Sequence, residues 1–115
     1  MNLRQGDILL VPVPFTDLSS RKRRPVIVVS ADAYNAVGPD MLVVAMTSNP
    51  IQTKWSFVIS SEDLVDGFLN RPGTVRADKI YTLAQSFAVR RFGSVSDQVL
   101  THVSGLLMDL VGAKE

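Results

Sequence analysis

The chain has 115 residues, 46% of them hydrophobic and 20% charged, with a formal net charge of +1. That is enough apolar chain for one domain with its own core, so a single domain over residues 1–115 is expected. The absence of cysteine excludes disulfides, thiolate metal sites and a cysteine nucleophile. The single histidine, His102, excludes a His–His metal site and argues against a Ser-His-Asp triad. No apolar signal core follows a basic start, and the longest apolar run, Ile8–Phe15, holds two prolines and is too short to span a bilayer. A cytoplasmic protein with no membrane partner is expected.

Short strands come first. Ile8–Phe15 is apolar on both faces and reads as a buried strand, its prolines at a frayed end or an edge. Thr16–Arg24 is polar, basic and aperiodic, so it reads as a loop. Pro25–Ser30 is β-branched and is the best strand in the chain. Ala31–Val37 suits one or two helical turns capped by Ser30, and Gly38-Pro39-Asp40 marks a turn. Met41–Met46 is a third buried strand, ending in Thr47-Ser48-Asn49-Pro50. Trp55–Ile59 is a fourth strand. Ser61–Asp66 is acidic and reads as a helical turn or a loop, and Gly67–Gly73 as a second loop. Thr74–Ala77 is a short fifth strand, and Ile80–Val89 is read as a helical turn followed by a strand.

The last element is a helix. Ser96 is a good N-cap, and Asp97 suits the positive end of the helix dipole. Val99, Leu100, Val103, Leu106, Leu107 and Leu110 recur at helical spacing, and Gly112 is a natural stop. Many strands followed by one amphipathic helix predict a mainly β fold: a small barrel or strongly bent sheet closed by the C-terminal helix.

Three polar clusters are candidates for chemistry. Arg21-Lys22-Arg23-Arg24 follows the first buried strand. Most charge runs are solvated loops, and that reading stands beside a phosphate-binding one, in which arginine forks match phosphate oxygens. Arg24 precedes Pro25, which holds its backbone extended at the start of a strand. Thr47, Ser48 and Asn49 lie at a strand end, where side chains leave the core; turn chemistry explains Ser48 and Asn49 equally well. Arg76 and Asp78 share a face of a strand, with Lys79 beside them. They read either as an ion pair or as a charge-stabilising and acid–base pair. Arg76 does not give up its proton readily, so its part would be charge neutralisation. His102 is read as a surface or boundary residue, not as a base. Trp55 and the phenylalanines 15, 57, 68, 87 and 92 are read as mostly core. Phe15 and Phe68, near loops, could stack on a base, but local packing is the stronger reading.

In order, these segments resemble the MazF/PemK family of toxin endoribonucleases from type II toxin–antitoxin pairs. The resemblance rests on Gly6-Asp7-Ile8-Leu9-Leu10-Val11, Pro14-Phe15-Thr16-Asp17 and Arg24-Pro25-Val26-Ile27-Val28-Val29-Ser30. It continues through Leu42–Ser48, Gly73–Asp78, Ile80–Leu83 and Gly93–Ser96 into the final helix. It implies an SH3-like barrel of the CcdB/MazF type, acting as a homodimer that cuts single-stranded RNA without metal or cofactor. By resemblance, Arg24 and Thr47 match the arginine and threonine of the family's active site, and Arg76 and Asp78 the arginine and aspartate implicated in the Kid/PemK branch. Arg21, Lys22 and Arg23, with Ser48 and Lys79, would contact RNA. The first loop is shorter and more basic here than in many members, and the histidine of the Kid branch has no counterpart. Lys79 and Tyr81 stand where many members have Gln and Arg.

The chemistry so implied is transesterification: the 2′-hydroxyl attacks the adjacent phosphorus, leaving a 2′,3′-cyclic phosphate and a 5′-hydroxyl. Asp78 is the best available base if burial raises its pKa. The implied partner is a cognate antitoxin whose acidic C-terminal tail folds onto the basic groove. Two alternatives remain at this point: a non-enzymatic CcdB-like protein poison, and an RNA-binding barrel without activity.

Overall fold

The computed structural model describes residues 2–12 and 23–113. Seven strands are present among the described residues: β1 (Asp7–Pro12), β2 (Arg23–Val28), β3 (Asp40–Thr47), β4 (Ser56–Ile59), β5 (Leu64–Gly67), β6 (Gly73–Ala84) and β7 (Arg90–Val95). Helix α1 (Asp32–Val37) lies between β2 and β3, and α2 (Asp97–Val111) follows β7. All strand pairs are antiparallel, in the order β4-β6-β3-β2-β1-β7-β5.

That order forces the sheet to roll up. β4 and β5 are its two edges, yet only residues 60–63 separate them. Seven strands laid flat would set the edges ~29 Å apart at ~4.8 Å per strand. The connection from Ile59 to Leu64 reaches at most ~18 Å when fully extended. Only a curled sheet satisfies both limits.

Curling explains why β1, β2 and β3 are apolar on both faces. Ile8, Ile27, Val44 and Met46 point to one side, where Val99 and Val103 of α2 complete the core. Leu9, Val11, Val26, Val28, Met41 and Val43 point to the other, covered by Leu3, Tyr81, Leu83 and Ala88. The expected mainly β fold with a closing C-terminal helix is therefore present, as a curled seven-stranded antiparallel sheet. Ser96 caps α2 by accepting from Val99 N–H, and the helix ends at Gly112.

Several local expectations change. β2 begins at Arg23, because Arg23 and Arg24 pair with Pro12 and Val11 of β1 rather than looping out. Ser30 does not cap α1; its hydroxyl accepts from Leu42 N–H and donates to Asn35, tying the helix to β3. Residues 80–84 continue β6 along β3 instead of turning into a helix, and a 3₁₀ turn follows at Gln85–Phe87. Residues 77–79 form the bulge that joins the two halves of β6. β5 and β7 are unexpected strands; Ser61–Asp63 is a 3₁₀ turn and Leu64–Gly67 then pairs with β7. The aromatic side chains are less buried than expected: Phe68 and Phe87 are exposed, and Trp55, Phe57 and Phe92 are half-buried. His102 is exposed, stacked on Phe57 with ring centroids 3.9 Å apart.

Candidate nuclease cleft

Register places the key side chains. β2 pairs with β3 through Val26–Ala45 and Val28–Val43. Continued by two residues, that register sets Arg24 opposite Thr47, on the face that carries Val26 and Ala45. On the far side of β3, Thr47 pairs with Thr74 and Ala45 with Arg76. Arg24, Thr47 and Thr74 thus form one row across three strands, with Arg76 in the next row. Neighbouring strands lie ~4.8 Å apart, so the first row brings a guanidinium and a hydroxyl within reach of one phosphate group.

Arg24 and Thr47 both line a cleft of about 550 Å³, within the ~300–1,000 Å³ usual for ligand sites. Its walls are the start of β2 (Arg23, Arg24, Pro25), the end of β3 (Met46, Thr47, Ser48), the loop Gly67–Gly73 and the start of β7 (Arg90, Arg91, Phe92). Arg24 is exposed and Thr47 half-buried, so solvent reaches both. The Thr47 hydroxyl accepts from Asn49 N–H at 3.2 Å. This is the turn chemistry expected of the segment, and it leaves the hydroxyl's own hydrogen aimed at no acceptor among the described residues.

Charge on the described lining of the cleft is of one sign. Arg23, Arg24, Arg71, Arg90 and Arg91 line it, and no described lining residue is acidic. Arg91 is a structural member of this set. Its Nε donates to Asp7, whose side chain is 3% exposed, and its Nη2 donates to both oxygens of Asp66. Those bonds, the one to Asp66 first, hold the guanidinium firmly protonated. Arg90 lies 5.1 Å from the Phe92 ring centroid, a cation–π contact. Arg23, Arg24 and Arg71 make no ion pair among the described residues.

The sequence candidates therefore divide. Arg23, Arg24, Thr47 and Ser48 meet in the cleft. Arg21 and Lys22 lie outside the described residues. Arg76, Asp78 and Lys79 sit at the β6 bulge and its approach, and do not line the cleft. Arg76 is bound bidentately to Asp78, with both contacts at 3.0 Å. Burial does push the Asp78 pKa upward, but the hydrogen bond from Arg76 outweighs it and holds the carboxylate below its ordinary range. The condition that would have suited Asp78 to act as a base is not met. The same bond raises Arg76, so it remains a cation. Arg71 and Arg90 are not among the sequence candidates for this site, and the sequence reads Phe68 chiefly as core, with base stacking as the weaker reading. The signal was a cation in an Arg-Pro-Gly loop and a doubled arginine beside an aromatic residue; which wall each joins depends on long-range pairing.

Among the described residues, no group of three or more His, Cys, Asp or Glu is placed to hold a metal ion, and no helix is long and apolar enough to cross a membrane.

Comparison with known proteins bears on the fold and the family. The chain resembles the structure of an endoribonuclease in complex with its cognate antitoxin from a mycobacterial species, at 18% identity and a TM-score of 0.79, over 98% of each chain. It is also similar to a MazE-MazF structure from Deinococcus radiodurans, at 25% identity and a TM-score of 0.79, over 99% of this chain and 100% of that one. A third similar structure is the Mycobacterium tuberculosis toxin MazF-mt6, at 16% identity and a TM-score of 0.75, over 95% and 99%. No curated protein matches the chain. The profile described as "PemK-like, MazF-like toxin of type II toxin-antitoxin system" matches residues 4–111. Spanning nearly the whole chain, that match makes this protein a member of the PemK-like, MazF-like toxin family.

Proposed function

We propose that the chain is an endoribonuclease toxin that cuts single-stranded RNA by attack of the 2′-hydroxyl on the adjacent phosphorus. The observation that carries this reading is that Arg24 and Thr47 line one cleft whose charged lining, among the described residues, is all cationic. Negative charge gathers on the non-bridging oxygens as the phosphorus becomes five-coordinate. A guanidinium fork and a hydroxyl donor aimed at those oxygens stabilise that state more than the ground state. Products would be a 2′,3′-cyclic phosphate and a 5′-hydroxyl; DNA, without the 2′-hydroxyl, cannot follow this route. Arg76 lies one row from Thr47 and is held there by Asp78; both are proposed to support the centre from its flank. Arg21, Lys22, Arg23, Ser48 and Lys79 are proposed to hold the RNA strand.

The proposal includes two partners. One is a second copy of the chain, as the family resemblance implies. The other is an antitoxin, the kind of partner the mycobacterial endoribonuclease is bound to; its C-terminal tail is proposed to be acidic and to compete with RNA for the arginine-lined cleft. Purified protein should cut a long defined RNA in EDTA and leave 5′-hydroxyl ends at a recurring short sequence. RNA retention without new ends would support a binding barrel instead, and stalled DNA supercoiling without cutting a CcdB-like poison.

A further inference from the structure

Phe68 is 64% exposed, yet the backbone around it is fixed on both sides. Before it, Gly67 adopts φ +89°, and a Cβ there would lie 2.2 Å from the carbonyl oxygen of Phe92. Only glycine allows that approach. Phe68 N–H itself donates to the Phe92 carbonyl. After it, Leu69 is clamped by one side chain: Ser61 Oγ accepts from Leu69 N–H at 2.8 Å and donates to Leu69 C=O at 3.0 Å. The Leu69 side chain packs against the core. A large ring is thus presented to solvent from a backbone that cannot easily withdraw it. Exposing such a ring forgoes its burial, and a floppy loop would fold it down.

Phe68 lines the same cleft as Arg24 and Thr47, from the Gly67–Gly73 wall, in a loop that also brings Arg71. Neither Arg71 nor Arg23 has a carboxylate partner among the described residues. An apolar face beside unpaired guanidinium groups suits a ligand that alternates flat rings with phosphates. The geometry points to Phe68 as a stacking platform for a nucleobase next to the scissile phosphate, with Arg71 holding the phosphate on that base's far side. This inference rests on the nuclease reading and adds a base-holding subsite to it. Stacking tolerates any base, so the subsite anchors the strand and presents the next phosphate to Arg24 rather than choosing a sequence.

The test uses two non-cleavable ten-residue probes: a 2′-O-methyl oligouridine and a strand of the same backbone without bases. Binding is read by fluorescence anisotropy. The intact chain should bind the base-bearing probe about 10-fold more tightly than the abasic one. Phe68→Ala should erase that difference, and Phe68→Trp should restore it. Equal binding of both probes by the intact chain overturns the stacking, as does a Phe68→Ala variant that still discriminates. Phe68→Ala with unchanged RNA binding but a lost protein partner would mean that the ring anchors a peptide, and overturns it too. Arg24→Ala reports separately on the nuclease reading: it should weaken both probes equally and abolish cleavage of natural RNA. Full cleavage by Arg24→Ala would sink that reading whatever Phe68 does.

Discussion

Replacing Arg24 with alanine separates chemistry from folding. Arg24 is exposed and has no ion pair among the described residues, and its pairing with Val11 runs through the backbone. Truncation should therefore change stability by no more than about 0.5 kcal/mol, a shift of under ~4 °C in melting temperature. The effect on rate should be far larger. Losing one preorganised donor to an oxyanion costs ~10²–10³ in kcat, or about 3–4 kcal/mol of transition-state stabilisation. Arg24→Lys keeps a point charge but loses the planar fork, so it should fall between the two. Neutralising one phosphate contact should also flatten the salt dependence of single-strand binding by roughly 0.7 in log–log slope. The assay is initial-rate cleavage of a defined RNA in EDTA, with circular dichroism melts alongside. A correctly folded Arg24→Ala protein that cuts at the original rate would remove this residue from the mechanism. A rate loss matched by a large fall in melting temperature would show that Arg24 matters for folding instead.

Thr47→Val keeps shape and removes the hydroxyl; cleavage should fall about 10–100-fold, and Thr47→Ser should recover most of it, read as kcat on the same RNA. Asp78→Asn tests linkage. The folded Asp78 pKa lies below its unfolded value, so its contribution to stability is complete above about pH 4 and is lost as pH falls through the folded pKa. The melting-temperature gap between the intact chain and Asp78→Asn should therefore be constant from pH 5 to 8 and close toward pH 2. A gap that widens on acidification would contradict the assigned direction. Gly67→Ala places a methyl against the Phe92 carbonyl at positive φ, so urea denaturation should show a loss of more than about 2 kcal/mol.

The strands that could be read from sequence are those whose side chains alone explain them. Val26–Val28 and Met41–Val44 are apolar enough to be strands in any context. Helix α2 announced itself by its period and its Ser96 cap. β5 and β7 did not, because Leu64–Gly67 and Arg90–Val95 mix charge, glycine and a few apolar residues. What makes them strands is each other: two glycines allow their backbones to touch, and Arg91 binds both Asp66 and, 84 residues away in sequence, Asp7. Half of the site was legible for the same reason. Arg24 and Thr47 stand at the ends of obvious strands, whereas Arg71, Arg90 and Phe68 reach the cleft through the illegible ones. Asp78 misled because burial and its ion pair act in opposite directions, and only contact distances say which is stronger.

The short tether between the sheet's outer strands turns the molecule into a hoop. A hoop resists splaying: opening the mouth between β2 and the Gly67–Gly73 segment would strain the whole ring at once. On the proposed nuclease reading, a nucleic acid seated on that rim would have to adapt to the protein by bending its own backbone, and paired duplexes, the stiffest strands, would fit it least.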